Sequence, residues 1–366
     1  MSGFSVSNAR PGEKVDLLAN AFLTSDDNDF HRYMNLIYNY YLSKTGMPAR
    51  TIHRFVIVLH QDLKADIYLN DFQMMMHTRY KRKISIGEKV YINDIADIDQ
   101  VSFPEVSISE KDCIIYCFRE GWKFGLYFDF KQFLPPETKL NIANLNKVLG
   151  KCHSYLLFKN VYDTLQNEIR LSEMSKDGWF PFIQLLGSDY DLLFEIYENK
   201  FDFENRIQKF VNGFTKDRIE KFIQYWWENS IFSEKKSILE AGIKGYAENT
   251  AEGFITCIKT IYSEIYGILT IFYFYKYQKA GKIRDLIQEI KNEVVIKTAS
   301  DLSLLLPKNF GDYLENVFFK NFNLETDELD LSRHSVDHGL AKVEDYNKMK
   351  ALQGILILDQ LSFYLK

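Results

Sequence analysis

The first regular hydrophobic pattern of the chain lies between residues 28 and 44. Its hydrophobic residues follow one another at steps of three and four: Phe30, Met34, Ile37 and Tyr41. Such steps place side chains on one face of an α-helix, and the Gly46-Met47-Pro48 sequence that follows favours the end of one. We therefore expect a helix over residues 28–44, within an N-terminal helical segment that covers residues 1–50.

Between residues 51 and 130 the hydrophobic residues form short runs instead. The runs cover residues 55–59, 67–69, 90–92 and 113–118. They are rich in β-branched and aromatic residues, which is typical of β-strands. A turn at residues 119–121 separates the last run from residues 122–128, and this predicts a β-hairpin. Because Pro135-Pro136 ends the pattern, we expect a small β-rich module over residues 51–135.

Helical spacing returns after this module. Between residues 138 and 170 the hydrophobic positions are Leu145, Val148, Leu149, Leu156, Val161 and Leu165. Residues 178–233 are rich in aromatic side chains, and we expect Trp179, Trp226 and Trp227 to anchor helices there. Residues 136–235 are therefore predicted to form a helical middle region, for which the sequence indicates no function.

The last third of the chain, residues 236–366, has the clearest helical pattern. One long helix is predicted from a seam of Phe254, Ile258, Ile261, Ile265, Ile268, Phe272 and Tyr275. A second is predicted around residues 283–294, and a third, with little polar face, from about Asp345 to the end. Helices this apolar have to be covered, which favours a helical bundle that also dimerises. The predicted fold class is α+β: a small β-rich module followed by a predominantly helical region that ends in a bundle.

Composition narrows the choice of compartment. The 366 residues suffice for two or three domains, the N-terminus has no secretory pattern, and no stretch reaches about 18 uncharged apolar residues. We therefore expect a cytoplasmic protein with no membrane partner. The four cysteines lack paired spacing, which favours reduced structural thiols, and the sequence indicates neither a metal site nor a cofactor.

The net charge of −5 disfavours a protein that coats long nucleic acids by charge alone. One basic cluster runs over residues 79–83, and Arg79, Lys81, Arg82 and Lys83 are candidate phosphate contacts. The alternative is that these four side chains lie on a solvated loop between strands. Motifs of nucleotide hydrolases, dinucleotide enzymes, serine hydrolases and zinc proteases are absent from the sequence.

The candidate chemistry lies between the predicted helices of the last third, in the sequence Ser332-Arg333-His334-Ser335-Val336-Asp337-His338-Gly339. An arginine is followed by a histidine after four intervening residues; Ser332 can cap a short helix and Gly339 can end it. This arrangement, together with Asn347, Lys350 and residues 356–359 of the closing helix, resembles the HEPN domains of bacterial abortive-infection proteins. The resemblance covers roughly residues 236–366.

The resemblance implies metal-independent cleavage of RNA by Arg333 and His338. In such a reaction a base takes the proton of the ribose 2′-hydroxyl, an acid protonates the leaving oxygen, and positive charge stabilises the phosphorane. Histidine suits either proton transfer and arginine suits the phosphate. HEPN dimers typically pair two motifs across their interface, so a homodimer is implied. His334, Ser335 and Asp337 are then supporting or RNA-contacting neighbours.

Three functions stay open at this point. The first is an endoribonuclease of tRNA, rRNA or mRNA that acts in antiphage defence or as a toxin. The second is a non-catalytic HEPN-like module for dimerisation or RNA binding. The third is a sensor whose β-rich module binds a phage or cellular activator, and an antitoxin is a further candidate partner. Arg333 could instead pair with Asp330 or Asp337 while His338 caps the last helix.

Overall fold

The computed structural model describes residues 11–12, 19–134, 138–297, 303–320 and 332–365. Its contacts divide the chain into two compact units. The first comprises residues 1–77 and 100–157, and the second comprises residues 78–99 and 158–366. A sheet-containing N-terminal region followed by a mostly helical one confirms the predicted α+β class.

The first unit is built on a five-stranded antiparallel sheet with the strand order β1-β7-β6-β2-β3. The elements are β1 Asn20–Thr24, α1 Asn28–Tyr40, β2 Phe55–Leu59, β3 Ala65–Leu69, β4 Met75–Tyr80, β5 Ile95–Ser102, β6 Cys113–Glu120, β7 Lys123–Asp129 and α2 Ile142–Leu157. Strands β4 and β5 form a separate two-stranded sheet.

Both faces of the five-stranded sheet are covered. Phe30 and Ile37 of α1 pack against Ile57 and Ile115 on one face. On the other face the buried His153 of α2 stacks on Phe118, with ring centroids 3.8 Å apart. Strands that are buried on both faces have no need of alternating polar residues. This explains why β2 and β6 read as unbroken hydrophobic runs.

The predicted segments differ from the two units at three places. The N-terminal segment belongs with the sheet, because α1 packs on it. Helix α2, which we assigned to the middle region, also belongs with the sheet because it covers the opposite face. Residues 78–99 join the helical unit instead.

Two local expectations for residues 28–92 were wrong. Residues 90–92 form no strand; a 3₁₀ turn covers Ile92–Asp94, because the Asp94 carboxylate accepts a hydrogen bond from the Tyr91 N–H at 2.9 Å. The first helix ends at Tyr40 and a 3₁₀ turn follows it. The predicted hairpin of β6 and β7 is confirmed.

The second unit is helical apart from its share of β4 and β5. Its helices are α3 Lys159–Gln166, α4 Glu168–Lys176, α5 Ser188–Glu198, α6 Phe203–Asn212, α7 Lys216–Ile223, α8 Ser230–Glu234, α9 Lys236–Glu248, α10 Ala251–Tyr277, α11 Ile283–Lys297, α12 Pro307–Tyr313, α13 Arg333–Asp337 and α14 Lys348–Tyr364. The predicted long helix, second helix and closing helix correspond to α10, α11 and α14.

Helix α14 is the buried centre of this unit and packs against α6, α9, α10 and α11. Its apolar residues are covered by the chain itself, so their burial does not require a second copy. The buried Asp359 of α14 accepts hydrogen bonds from the Tyr225 hydroxyl at 2.5 Å and the Trp226 Nε1–H at 2.8 Å. Trp179 and Trp226 are fully buried, whereas Trp227 is half-buried; Trp226 and Trp227 lie in a 3₁₀ helix, and Trp179 lies outside the helices.

Helix α10 contacts α9 most closely where two glycines meet. A Cβ on Gly245 of α9 would lie 2.7 Å from the carbonyl oxygen of Gly253 of α10, so neither position has room for a side chain. The middle of the predicted seam, from Ile258 to Ile268, is buried, but Tyr275 is exposed. Among the described residues α10 is the one helix whose length and composition would suit a membrane span, and core helices commonly share both properties.

Candidate functional site around Arg333 and His338

The motif lies on α13, a helix of five residues whose ends are set by Ser332 and Gly339. The Ser335 N–H donates to the Ser332 hydroxyl at 3.3 Å, and the Ser332 N–H donates to the Ser335 hydroxyl at 2.9 Å. This is a reciprocal capping box. Gly339 follows with a φ of +68°, a conformation that glycine adopts without strain. The predicted cap and the predicted helix end are therefore both confirmed.

Ser335 serves this cap and does not face solvent. It is fully buried, and its hydroxyl donates to the Ser332 carbonyl at 3.0 Å. No part of the side chain reaches the surface, and the supporting or RNA-contacting role expected of Ser335 stays a prediction. Its role is to hold the turn from which Arg333 begins.

Arg333 is held between α13 and α10. Its Nε lies 2.6 Å from Oδ2 of Asp337, and its guanidinium carbon lies 4.4 Å from the centre of the Tyr266 ring. The Nε–H does not point at the carboxylate well enough for a hydrogen bond, so the contact is an ion pair. The Arg333 and Asp337 side chains are 20% and 22% exposed. The guanidinium is therefore largely enclosed and already bound to a carboxylate.

Asp337 also ties α13 to α10. The Ser263 hydroxyl donates to Oδ1 of Asp337 at 2.9 Å, while Oδ2 faces Arg333. Ser263 and Tyr266 lie three residues apart on α10 and so share one face of the helix. We call the group of Arg333, Asp337, Ser263 and Tyr266 the arginine clamp. Sequence reasoning missed Ser263 and Tyr266, because the helical pattern draws attention to the buried seam of α10 and not to the face that α13 covers.

The two histidines of the motif lie side by side. The rings of His334 and His338 are nearly parallel, at an interplanar angle of 12°, with centroids 6.3 Å apart. Partial burial is the largest cause of a lowered pKa for His334, and the positive charges of Arg333 and His338 lower it further, against the opposing effect of Asp337. The neutral form of the His334 imidazole is therefore favoured more than in an ordinary histidine.

His338 is exposed at the end of α13, where its N–H donates to the His334 carbonyl at 3.1 Å. The expectation that it caps the last helix is wrong. Asn347 does so instead, because its side-chain oxygen accepts from the Lys350 N–H at 3.1 Å. The alternative pairing of Arg333 with Asp337 is observed, whereas Asp330 lies outside the described residues.

The arginines of the basic cluster are held by carboxylates. Arg79 pairs with Asp99 at 3.0 Å. Arg82 pairs through Nε with Asp94 at 2.7 Å and through Nη1 with Glu88 at 2.5 Å. These contacts explain how a dense run of cations is accommodated in one strand end and the turn after it.

The two lysines of the cluster differ from each other. Lys83 is exposed and pairs with Glu228 at 3.1 Å. Lys81 is only 5% exposed, and its Nζ donates to the Leu186 carbonyl. Burial lowers the pKa of Lys81 to about 8. The alternative of a solvated loop is therefore wrong for Lys81, since the protein encloses almost the whole side chain.

The remaining candidate chemistry is limited. All four cysteine thiols are free and buried, and burial raises the pKa of Cys117 to about 12. Within the described ranges no three His, Cys, Asp or Glu side chains are grouped so that they could hold a metal ion.

No family model, curated protein or solved structure matches the chain. The likeness to HEPN domains thus depends on the motif and on its helical setting.

Proposed function

We propose that the protein is a metal-independent endoribonuclease of HEPN type, cytoplasmic and active in antiphage defence or as a toxin. The observation that carries the proposal is the grouping of a guanidinium and two imidazoles along one short helix and at its C-terminal end: Arg333, His334 and the exposed His338. These are the groups that attack by a ribose 2′-hydroxyl requires.

The roles follow from the exposure and charge of each group. The exposed His338 exchanges protons with the RNA, and Arg333 neutralises the phosphorane once it leaves Asp337. One His338 cannot act as base and acid in the same turnover, and the partly buried His334 serves as a neighbour that orients it or contacts the RNA. A second copy of the chain therefore supplies the other imidazole, and the active form is a homodimer with a composite site. Exposed aromatic residues near the end of α10, Phe274 and Tyr275, offer apolar surface for such an interface.

The first test is RNA cleavage by the purified protein in EDTA. We expect cleavage that falls by about 100-fold or more in His338→Ala and Arg333→Ala, the range in which single proton-transfer groups contribute. Arg284→Ala and His31→Ala are matched controls, because both side chains are exposed and neither lies in the motif. The dimer is measured by light scattering in each variant. Full activity of either motif variant would exclude the site assignment.

A second candidate is a non-catalytic HEPN-like platform for dimerisation or RNA binding, and the arginine clamp favours it. Asp337 occupies the guanidinium that a phosphate would need. Under this alternative the purified protein binds RNA but leaves it intact. Loss of RNA binding in Arg333→Ala without any cleavage by the wild type would support the platform over the enzyme.

A further inference from the structure

The helical unit contains a cavity of about 310 Å³ that none of the proposed chemistry uses. The basic cluster, residues 79–83, forms one wall, and Tyr225, Glu228 and Phe363 lie on the others. The volume is at the lower end of the range for small-molecule sites, so the cavity suits one small ligand and not a length of RNA.

The cavity wall carries four cations against one carboxylate. Arg79, Lys81, Arg82 and Lys83 line it, and Glu228 is the single acidic residue that does so. The other carboxylates bind the arginines through particular atoms: those of Asp94 and Glu88 engage Nε and Nη1 of Arg82. These bonds do not engage Nη2 of Arg82. The guanidinium is therefore held in place while its Nη2 group remains able to donate to a ligand.

Lys81 is the unusual member of this wall. A lysine that is 5% exposed requires compensation for its buried charge, yet the one hydrogen bond that its ammonium makes with the described residues is to a neutral carbonyl, that of Leu186. An ammonium has three donors, so an anionic ligand in the cavity would complete its surroundings. Partly exposed aromatic rings, Tyr80 and Phe363, line the same cavity and offer faces for a planar ring.

We propose that this cavity binds a small phosphate ester that carries an aromatic ring, of the size of a nucleoside monophosphate. The phosphate lies against Lys81, Arg82 and Lys83, and the ring lies against Tyr80 and Phe363. This site is separate from the arginine clamp, and the proposal does not depend on nuclease activity.

The charge state of Lys81 links binding to pH. The charged groups that act on it are Asp94, Asp189, Arg218 and Asp359, with Glu228 and the other cations of the wall around the cavity. The ammonium form binds the phosphate. Since the pKa of Lys81 is about 8, affinity should be greatest near pH 7 and should fall as the amine loses its proton above that.

The test is isothermal titration of the full chain with three probes: adenosine 5′-monophosphate, inorganic phosphate and adenosine. We expect the monophosphate to bind more tightly than either fragment and about tenfold more weakly at pH 9 than at pH 7, as one linked proton requires. Lys83→Gln keeps the buried network intact and should weaken binding several-fold, whereas Lys244→Gln, an exposed lysine elsewhere in the unit, should not.

Lys81→Met keeps the length of the buried side chain and should abolish binding. If that variant does not fold, Lys83→Gln and the pH series still decide the question. The proposal is overturned if the monophosphate does not bind at millimolar concentration, or if its affinity changes neither with pH nor in Lys83→Gln. Preferential binding of a 5′-phosphorylated RNA oligonucleotide over the monophosphate also overturns it, since that result would assign the cluster to an RNA strand.

Discussion

The arginine clamp makes Asp337→Asn the most informative substitution in the chain. Asparagine has nearly the same shape as aspartate and retains an oxygen that can accept from Ser263, but it removes the charge that holds Arg333. The two charges are also placed against the dipole of α13, with the cation in its first turn and the anion in its last. The ion pair therefore forms although the dipole of α13 disfavours both charges at their positions.

The magnitude follows from burial. Both side chains are about a fifth exposed, so the pair should be worth more than a surface pair, and the opposing helix dipole reduces that gain. We estimate a net value of about 1 kcal/mol, in line with ordinary charge-assisted contacts. If that energy holds Arg333 away from RNA, its removal should increase the population of the released arginine, and thus the cleavage rate, by roughly fivefold.

Two measurements test this estimate. A double-mutant cycle of Asp337→Asn with Arg333→Gln in urea unfolding should give a coupling energy near 1 kcal/mol. Single-turnover cleavage in EDTA should rise in Asp337→Asn. In addition, the pKa of His334 should fall further in that variant, because Asp337 is the group that raises it. A cleavage rate as low as that of Arg333→Ala in a folded Asp337→Asn protein would refute the reasoning and show that Asp337 positions the arginine for catalysis.

Two further predictions concern stability. Hydrogen bonds to Asp112 and, to a smaller extent, to Asp66 raise the pKa of His60 in the folded protein. The stabilisation that His60 contributes is therefore fully present below pH 6.5 and is lost as the pH rises through the pKa of the folded state. His60→Gln should accordingly destabilise the protein more at pH 5.5 than at pH 9 in urea titrations. Gly245→Ala should cost about 1–3 kcal/mol of unfolding free energy, because its Cβ would meet backbone. Gly267→Ala, a helical glycine with ordinary contacts, should stabilise by up to about 1 kcal/mol, and equal effects of the two would contradict the close contact of α9 and α10.

Much of the fold could be predicted from the sequence, because the residues that helices and strands bury recur at regular spacings along the chain. The hairpin of β6 and β7 and the helix α14 are recognisable in the sequence as unbroken or periodic hydrophobic runs. β1 was missed, since its five residues form a strand only through pairing with β7, a partner about a hundred residues away. Residues 90–92 were assigned wrongly because propensity favoured a strand and a side-chain cap from Asp94 favoured a turn.

In the candidate site, too, the sequence predicts local features and not contacts between distant residues. The cap at Ser332 and the helix end at Gly339 are local, and the sequence predicts both. The contacts of Arg333 with Tyr266 and of Asp337 with Ser263 join residues about 70 positions apart, so no local pattern carries them. The burial of Lys81 is likewise a tertiary property, and a run of cations gives no sign of which member is enclosed.

The insertion of residues 78–99 into the helical unit has a consequence for synthesis. Asp97 accepts a hydrogen bond at 2.6 Å from the hydroxyl of Ser303, which follows it by 206 residues. At the usual pace of translation this partner emerges from the ribosome roughly 10–40 s later. During that delay the segment around Lys81 and Asp97 is a nascent peptide without its helical neighbours. Chaperones and proteases therefore have access to it for longer than to any hairpin that closes within its own sheet.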